Sequence, residues 1–497
     1  TTRAGEMLLS HAASRQCGAL NSNWKLEKNI RLDEDVNDVL GNISLANITV
    51  VRTWAFNSLL SNPRNGTWFQ LVANGNTSIN LNETTGIPKL DRIVSMAEQH
   101  GIYLLLSLTN NWNPLPLENT TPNSRISASS TLSRRDILTN NSLPRNTLSN
   151  DYGGMDAYVR AFGAKSHDAF YTNETIIVAF ENYINHIVSR YVNSTAVLGW
   201  EIGNDPRCKS SIAATPACNT TTITEWHARI AMLIKSIDPN HLISSGTQGF
   251  FCADCPKLFQ NAAKKRILKE RKEASKKTRA LKFRSEPPTS SVRVIGTIAT
   301  PTRRQDDAGT GPAFDGSEGV DSEDILSIPE IAFCSFQLFP DQNSYAFDDL
   351  NLSAFNHSLL AGLDWIQRHG QSSQHFGKPF TLTAFGLVTQ DNAPSFVPFN
   401  STIAPFANDQ FGSLSLNATK LPFGVTDQQR DDAYAQWLQQ AILSKVAGVI
   451  QYQWGQGNLT AMNGTAIFPT IDENGIIPVQ SHKGLSPSDG YSISGFG

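Results

Sequence analysis

The sequence predicts a single (β/α)8 TIM barrel of the α/β class that spans residues 1–497, and two observations support this. Eight short apolar, β-branched or aromatic runs recur along the chain, and segments with helical spacing lie between them. Continuous apolar strands that alternate with amphipathic helices are typical of a parallel sheet covered by helices. Eight such strands favour a closed barrel, with its functional groups at the carboxyl ends of the strands.

The runs have the length and composition of buried strands, and the segments between them have the period of helices. The segment KLDRIVSMAEQHG, after the second run, places Leu90, Ile93, Val94 and Ala97 on one helical face and ends at a glycine. The segments ETIIVAFENYINHIVSRY and ITEWHARIAMLIKSID follow the same spacing. The eight runs begin at Gln16, Ile48, Gly101, Ala196, His241, Glu330, Pro379 and Gly448.

Two stretches break the alternation, at about residues 116–150 and 256–320, and we interpret both as long, flexible surface insertions on the barrel. The first is rich in Ser, Thr, Asn and Pro. The second contains a basic run from Lys264 to Arg284, where eleven Lys and Arg accompany two Glu. Such a run suits binding of an anionic polymer, although a solvated helix without a partner is the commoner outcome.

Composition and missing motifs exclude several classes of function. Apart from the basic run the chain is acidic, with a net charge of −3 overall, and no nucleic-acid-binding motif is found, so we expect no nucleic-acid partner. No apolar run reaches the ~18–20 residues of a membrane span. We find no metalloprotease, nucleophile-elbow or phosphate-loop motif. We therefore expect no cofactor and no metal, and we expect a monomer.

Sequons and cysteines predict a secreted protein, extracellular or associated with a cell wall. The sequence begins TTRAGE, and we expect any secretory leader to have been removed. Six cysteines allow 15 pairings, and short separation favours Cys208–Cys218 and Cys252–Cys255. For the CADC motif, a structural bridge or free thiols are favoured over a redox role. The Asn-x-Ser/Thr sequons lie at Asn42, Asn47, Asn65, Asn76, Asn82, Asn119, Asn140, Asn173, Asn193, Asn219, Asn351, Asn356, Asn400, Asn417, Asn458 and Asn463.

Seven motifs in a fixed order carry a family resemblance. They are VVRTWAFN, LTNNW, DYGGMDAYVRAFG, LGWEIGNDPRC, IKSIDPNHLISSG, LSIPEIAFCSFQLFPD and GKPFTLTAFG. They resemble the motifs of fungal endo-β-1,4-mannanases of glycoside hydrolase family 5, subfamily 7, from about Cys17 to SPSDGY near the end of the chain. The resemblance implies a barrel with an open cleft for a β-1,4-linked mannan or glucomannan.

The resemblance also implies a retaining mechanism, in which two carboxyl groups about 5 Å apart act as acid/base and nucleophile. In the family, the acid/base is the Glu of an Asn-Glu-Pro motif after strand four. The nucleophile is the Glu before an aromatic-Gly pair after strand seven. Here these positions hold Asp205, which is one methylene shorter than Glu, and Ala384, which has no carboxyl group.

Other family positions are also substituted. A His-x-Tyr pair on strand six is replaced by Gln337 and Phe339. The family's strand-eight Trp is replaced by Tyr452, with an ambiguity of a residue or two in QYQW, and Gln248 stands where a Glu is expected after strand five. Each change removes a charge or a proton-transfer group, or keeps only the shape of the side chain.

Five family-like residues persist at positions that the resemblance places in the cleft. Arg and Asn side chains can bind sugar hydroxyls, and Trp faces can stack on sugar rings. For the two tryptophans, core packing under the barrel rim is an equally weighted alternative. The five residues are Arg52, Trp54, Asn111, Trp112 and Asn204.

Two other carboxylates are candidates to replace the lost nucleophile. Glu201 lies four positions before Asp205, which is roughly 13 Å along an extended strand. That exceeds the ~5 Å of a retaining pair and the ~6.5–9.5 Å of an inverting pair, so we interpret Glu201 as a structural group. Asp391, on a loop after strand seven, is a weaker candidate for the base of an inverting reaction.

The sequence therefore predicts a mannan endo-1,4-β-mannosidase-like protein that binds β-1,4-mannan or a related cell-wall polysaccharide and whose catalysis is impaired. The first alternative is an active endo-β-1,4-mannanase that uses Asp205 with an unrecognised second carboxylate. The second alternative is a scaffold without a glycan ligand, which interacts through the basic run.

Overall fold

The computed structural model describes most of the barrel and part of the connecting chain. Most of the two predicted insertions, at residues 114–148 and 261–310, lies outside the described residues, and so does the basic run. The described residues are 17–19, 31–61, 67–113, 149–260, 311–343, 345, 352–392, 424–456, 470–472, 475–477 and 491.

Eight parallel strands form the barrel, and each falls inside one of the predicted runs. Parallel ladders join β2 to β3, β3 to β4 and β4 to β5. Further parallel ladders join β6 to β7 and β8 to β1. Isolated bridges connect β5 to β6 and β7 to β8, and β1 lies beside β2, so the circuit closes. The strands are β1 (Cys17–Ala19), β2 (Val50–Trp54), β3 (Tyr103–Ser107), β4 (Val197–Glu201), β5 (Leu242–Ser244), β6 (Cys334–Leu338), β7 (Phe380–Phe385) and β8 (Ile450–Tyr452).

Helices follow each of the first seven strands, which confirms the predicted (β/α)8 alternation. Their starts carry polar caps: the side chain of Asn173 accepts from Thr175 N, and that of Asn219 accepts from Thr222 N. The helices are α1 (Arg31–Leu45), α2 (Pro88–Gln99), α3 (Met155–Ala161), α4 (Ala169–Thr172), α5 (Glu174–Tyr191), α6 (Thr220–Ile237), α7 (Ser322–Leu326), α8 (Ala354–Phe376) and α9 (Asp427–Leu443).

Two small sheets were not predicted from the sequence. One consists of Ser58–Leu59, Gln70–Ala73 and Asn76–Ile79, and it lies in the chain between β2 and α2. The other is a hairpin of Thr470–Asp472 and Gly475–Ile477. Both are too short to produce a clear alternation of apolar and polar residues.

The core lies between the barrel and its helices. Every residue of β2, β6 and β7 is buried, as expected for parallel strands covered on both faces. Trp200, Trp365 and Trp437 are among the largest fully buried side chains. Gly199 permits close approach of β4 and β5, because a Cβ atom there would lie 2.6 Å from the carbonyl oxygen of Leu242. No helix within the described residues is both long and apolar enough to cross a membrane.

Both ends of the second predicted insertion, at residues 256–260 and 311–320, contact the folded body. At the first end, the Asp324 carboxylate accepts hydrogen bonds from the backbone N–H groups of residues 258, 259 and 260. At the second end, Ala313 and Val320 are buried in the core. The Pro, Gly and Ser content of this segment is typical of a loop, so these contacts could not be predicted from the sequence.

The two favoured disulfides are present, so the CADC cysteines form a bridge. Cys208 is bonded to Cys218, and Cys252 is bonded to Cys255. Cys334 on β6 is a free, buried cysteine. Glycines of the segment 311–320 lie against both bridges: a Cβ atom at Gly316 would lie 2.5 Å from Cys255 Sγ, and one at Gly319 would lie 2.2 Å from Cys208 Sγ.

Candidate functional site

A network of hydrogen bonds joins β2, the loop after β4, and β6 at the carboxyl ends of the strands. The Arg52 Nη2 atom donates to Asn204 Oδ1 at 2.7 Å, and Gln337 Nε2 donates to the same oxygen at 3.0 Å. Asn204 Nδ2 donates to Asn110 Oδ1 at 2.8 Å. We call Arg52, Asn110, Glu201, Asn204 and Gln337 the polar network. Asn204 is its partly exposed member, and the other four are buried.

Glu201 has a structural role within this network. Its carboxylate accepts from Arg52 Nε at 2.9 Å and from Arg52 Nη2 at 2.6 Å, and the side chain is fully buried. Strand β4 ends at Glu201, and Asp205 has a positive φ of 58°, so the extended spacing assumed from the sequence does not apply. The pairing with Arg52 supports the structural interpretation for a different reason, because both carboxylate oxygens are occupied.

A second set of polar contacts begins at Asp205, the residue after Asn204. The Asp205 carboxylate accepts from Trp112 Nε1 at 2.7 Å and from Arg207 Nε at 2.9 Å. Arg207 Nη1 donates to Glu318 at 3.0 Å, and Lys209 Nζ also donates to Glu318. We call Asp205, Arg207, Lys209 and Glu318 the charged chain. The first two and Glu318 are buried, whereas Lys209 is exposed.

Burial raises the pKa of Asp205 above its ordinary value, and the Arg207 guanidinium opposes that rise. The backbone holds Asp205 in place as well, because its N–H donates to the carbonyl oxygen of Gly246 at 2.8 Å. A carboxyl group that protonates a leaving oxygen must face the substrate. Here, both carboxylate oxygens accept hydrogen bonds from Arg207, and one also accepts from Trp112.

The retained tryptophans are largely covered by the protein. Trp54 is 6% exposed and Trp112 is 8% exposed. The guanidinium carbon of Arg52 lies 5.2 Å from the Trp54 ring centroid, and that of Arg207 lies 5.2 Å from the Trp112 centroid. Of the two equally weighted interpretations, this burial favours packing under the rim over open sugar platforms. Asn111 is also buried, and its Nδ2 atom donates to the Lys209 carbonyl oxygen at 2.8 Å.

On the opposite side, Ala384 lies in a buried apolar cluster. The ring centroids of Phe339 and Tyr452 are 5.5 Å apart, and those of Phe339 and Tyr491 are 5.1 Å apart. We call Phe339, Ala384, Val388, Tyr452 and Tyr491 the aromatic cluster. Three of its members, Ala384, Phe339 and Tyr452, occupy the places that the family resemblance assigns to the nucleophile, the strand-six Tyr and the strand-eight Trp.

Three contributors to the site were missed by the sequence interpretation. Arg207 directly follows the Asn-Asp-Pro motif, and this position in the sequence is the signal that could have identified it. Glu318 was assigned to an insertion, and Tyr491 lies far along the chain, where its ring packs against Gly386 and Phe339. Gln342 Nε2 donates to the Tyr491 hydroxyl at 2.7 Å, which fixes the ring in the aromatic cluster.

Two further carboxyl groups lie near β7. Asp341 Oδ2 accepts from the backbone N–H of Val388 at 3.1 Å, and burial raises the pKa of Asp341 to about 7. Asp391 is exposed in a turn that follows β7. Gln248 is buried, and its Nε2 atom has no hydrogen-bond partner among the described residues. Its amide has the shape of a Glu carboxylate without the charge. Within the described residues, no group of three His, Cys, Asp or Glu side chains is arranged to hold a metal ion.

A (β/α)8 barrel with its polar network at the carboxyl ends of the strands defines the general class of this protein. Residues 45–268 match the family model described as GH family 5 beta-mannosidase-like. The chain is 28% identical over 369 residues to the probable mannan endo-1,4-beta-mannosidase A-2 of Aspergillus terreus, across 74% of this chain and 65% of that protein. It is 33% identical over 219 residues to mannan endo-1,4-beta-mannosidase A of Aspergillus aculeatus, across 44% of this chain and 46% of that protein.

Among solved structures, the endo-1,4-beta-mannanase from Rhizomucor miehei is similar, with a TM-score of 0.56 and 24% identity over 88% of this chain and 86% of that chain. The predicted resemblance to the mannanases of glycoside hydrolase family 5 is therefore confirmed, and the fold is the (β/α)8 barrel. The chain spans less than two thirds of the length of these two Aspergillus relatives.

Proposed function

We propose that this chain is a mannanase-like protein that binds β-1,4-mannan or a related cell-wall polysaccharide and has lost efficient hydrolysis. The observation that carries the proposal is the environment of Ala384, which is 1% exposed and packed among aromatic rings. A retaining mechanism needs a carboxylate nucleophile at that place, about 5 Å from the acid/base.

The state of Asp205 supports the same conclusion. A positioned proton donor contributes about 10²- to 10⁴-fold to the rate, provided that it reaches the substrate oxygen. The Asp205 carboxyl instead pairs with Arg207 and Trp112 in the protein interior. With the nucleophile replaced and the acid held inward, the expected rate of hydrolysis is close to background.

The polar network supports binding. The side-chain oxygen of Asn204 accepts from Arg52 and Gln337, and its amide nitrogen donates to Asn110, so its orientation is fixed. A partly exposed amide held in this way is preorganised to meet a sugar hydroxyl without further ordering cost. The names of the Aspergillus relatives indicate that those proteins act on mannan.

Secretion and N-glycosylation are part of the proposal. Two disulfides are typical of proteins that fold in an oxidising compartment. The sequons fit the same compartment. We propose that the protein acts outside the cell or at a cell wall, as a monomer.

The test uses the full chain with mannohexaose. Calorimetry is expected to detect binding, and chromatography is expected to detect no shorter sugars. Asn204→Ala should weaken binding about tenfold, the equivalent of one hydrogen bond of about 1.4 kcal/mol. Asn240→Ala, at an exposed asparagine between α6 and β5, is the matched control and should bind like the parent chain.

Other outcomes would favour the alternatives. Turnover of mannohexaose that disappears in Asp205→Ala would overturn the loss of hydrolysis and identify an active mannanase. Absence of mannan binding, together with binding to heparin that is lost when residues 264–284 are replaced by a neutral linker, would favour the scaffold alternative.

A further inference from the structure

The sequon asparagines differ from the other asparagines in their exposure. All eight that fall within the described residues are exposed: Asn42, Asn47, Asn76, Asn82, Asn173, Asn193, Asn219 and Asn356. Of the fourteen other described asparagines, four are exposed, namely Asn74, Asn182, Asn185 and Asn240. Chance occurrence of a short motif would give the two groups similar exposure, so this difference indicates that the sequons are placed where a bulky group is tolerated.

Two of the sequons also close a turn on themselves. Asn82 Oδ1 accepts from the backbone N–H of Thr84 at 2.9 Å and from the Thr84 hydroxyl at 2.7 Å. Asn173 Oδ1 accepts from the backbone N–H of Thr175 at 3.0 Å as it caps α5. Within the described residues, neither Nδ2 atom donates a hydrogen bond. The side-chain oxygen is therefore used locally and the amide nitrogen is directed to solvent.

In the other six described sequons, no asparagine side chain accepts a hydrogen bond from the third residue of its own sequon. The Asn76 side-chain oxygen accepts from the backbone N–H of Thr77 instead. Asn42 and Asn356 lie inside helices, and Asn76 lies in a strand. In the Asn42 sequon, the Ser44 hydroxyl donates to the carbonyl oxygen of His100 at 2.9 Å. Asn219 caps α6, but its Nδ2 atom donates to the carbonyl oxygen of Ala217 at 3.1 Å. These differences single out Asn82 and Asn173.

We propose that Asn82 and Asn173 are sites of N-linked glycosylation, a modification that rests on the proposed secretion. The donor is an oligosaccharide linked to a polyprenyl diphosphate. A bond forms between the asparagine Nδ2 atom and the anomeric carbon, and the bond from that carbon to the diphosphate oxygen breaks. The amide nitrogen loses one proton, and the diphosphate leaves with the bonding electrons.

Both sites lie at the end of the barrel that carries the polar network. Barrel helices run antiparallel to the strands, so the start of α5 at Asn173 lies at the carboxyl ends of the strands. Asn82 precedes α2 and follows the small sheet after β2, which places it at the same end. The two glycans thus flank the face proposed to meet polysaccharide, on its outer rim.

The test is translation of the full chain behind a cleavable leader in the presence of microsomes. Protease protection identifies translocated chains, and peptide N-glycosidase treatment in ¹⁸O-water converts each glycosylated asparagine to ¹⁸O-labelled Asp. Label is expected at residues 82 and 173 of the protected chain. The exposed residues Asn74 and Asn182, which lack a sequon, serve as matched controls and should carry none.

Substitution of the sequon hydroxyl sharpens the result. Thr84→Ala and Thr175→Ala should each remove label from the matching site, whereas Thr84→Ser and Thr175→Ser should retain it. Protected chains without label at both sites would overturn the inference. Because the leader is supplied and the readout does not involve mannan, failure of this inference is distinguishable from failure of the proposed secretion or of mannan binding.

Discussion

The two sides of the barrel mouth differ in how their side chains are held. On the side of β2 and β4, hydrogen bonds satisfy the groups of the polar network, which Gln337 joins from β6, and ion pairs satisfy those of the charged chain. On the side of β6 to β8, the aromatic cluster packs without charge around Ala384. Buried charges are costly when a partner is removed, whereas apolar side chains of suitable volume exchange more freely.

This difference explains which family-like residues persist. Arg52 is required by the buried carboxylate of Glu201, and Trp112 donates to Asp205, so each has a structural reason to stay. Their persistence alone is therefore not a sign of ligand binding. Asn204 is different, because it is partly exposed and is held in place by neighbours that are buried.

The largest effect is expected from breaking the charged chain. Arg207→Ala leaves Asp205 and Glu318 buried without their shared cation, which should lower the free energy of unfolding by about 3–5 kcal/mol. Arg229→Ala removes a partly exposed partner of Glu174 and Glu181, a pairing that solvent screens, and should cost about 0–1 kcal/mol. Urea unfolding of both variants measures the contrast, and similar losses would contradict a special role for burial.

Returning a carboxylate to the aromatic cluster should destabilise the protein and leave it inactive. Ala384→Glu adds volume to a filled space, at about 1–3 kcal/mol, and burial of the carboxylate adds a further cost. Ala384→Gln, of similar size and without charge, isolates the volume effect. Urea unfolding gives the stabilities, and incubation with mannohexaose gives the activity.

Efficient hydrolysis by Ala384→Glu alone would show that the cluster is not what prevents catalysis. The combination Asp205→Glu, Gln337→His, Phe339→Tyr and Ala384→Glu restores the family's groups, and we expect turnover only in this combination. Mannohexaose shortening by the fourfold variant, compared with each single variant, is the measurement.

Asp341 should make the stability of the protein depend on pH. Among the described residues, it is the carboxyl group that accepts a hydrogen bond from a member of the aromatic cluster, Val388. Since burial raises the pKa of Asp341 to about 7, its contribution to stability is present below about pH 4 and is lost as the pH rises through 7. Asp341→Asn keeps an oxygen for the Val388 N–H without titrating. Between pH 4 and 7, the free energy of unfolding of the parent should fall by about 1–2 kcal/mol more than that of the variant. The full pKa shift would give a larger difference, but the side chain is partly exposed and solvent screens it.

Thermal unfolding at several pH values measures this slope. Asp321, whose pKa burial raises to about 6, titrates in both proteins and cancels in the difference. Asp391→Asn, at an exposed carboxyl, controls for the loss of a charge. Equal slopes in the parent and in Asp341→Asn would rule out this contribution.

The smallest effect is expected from the polar edge of the aromatic cluster. Tyr491→Phe removes the acceptor of the Gln342 amide but keeps the ring, so the loss should be about 0.5–1.5 kcal/mol. Tyr103→Phe, at an exposed tyrosine, should change stability by less than about 0.5 kcal/mol. A loss above about 3 kcal/mol in Tyr491→Phe would show that the hydroxyl, and not the ring, holds the cluster together.

Much of the fold was predictable because buried parallel strands leave a local signal. All eight barrel strands lie within the predicted apolar runs, and the two short-range disulfides follow from sequence separation. The small sheet after β2 was missed, because strands of two to four residues give no period to detect.

The candidate site was less predictable, because its partners are distant in sequence. Arg207 and Glu318 are 111 residues apart, and Glu318 lies in a segment whose composition resembles that of a loop. Asp205 also has a positive φ, a conformation that usually signals glycine. Because residue 205 is an aspartate, nothing in the sequence indicates this conformation. The residue types at positions 205 and 384 were readable from the sequence, but their surroundings were not.

The two ends of the second predicted insertion are tied to the barrel by specific contacts. Asp324 fixes residues 258–260, and the glycines at 316 and 319 pack against the two disulfides. Gly316 and Gly319 both have a positive φ, and a Cβ atom at either would collide with a disulfide sulfur. Any side chain at these two positions would have to displace a bridge, so each disulfide also dictates which residue its neighbouring segment can carry.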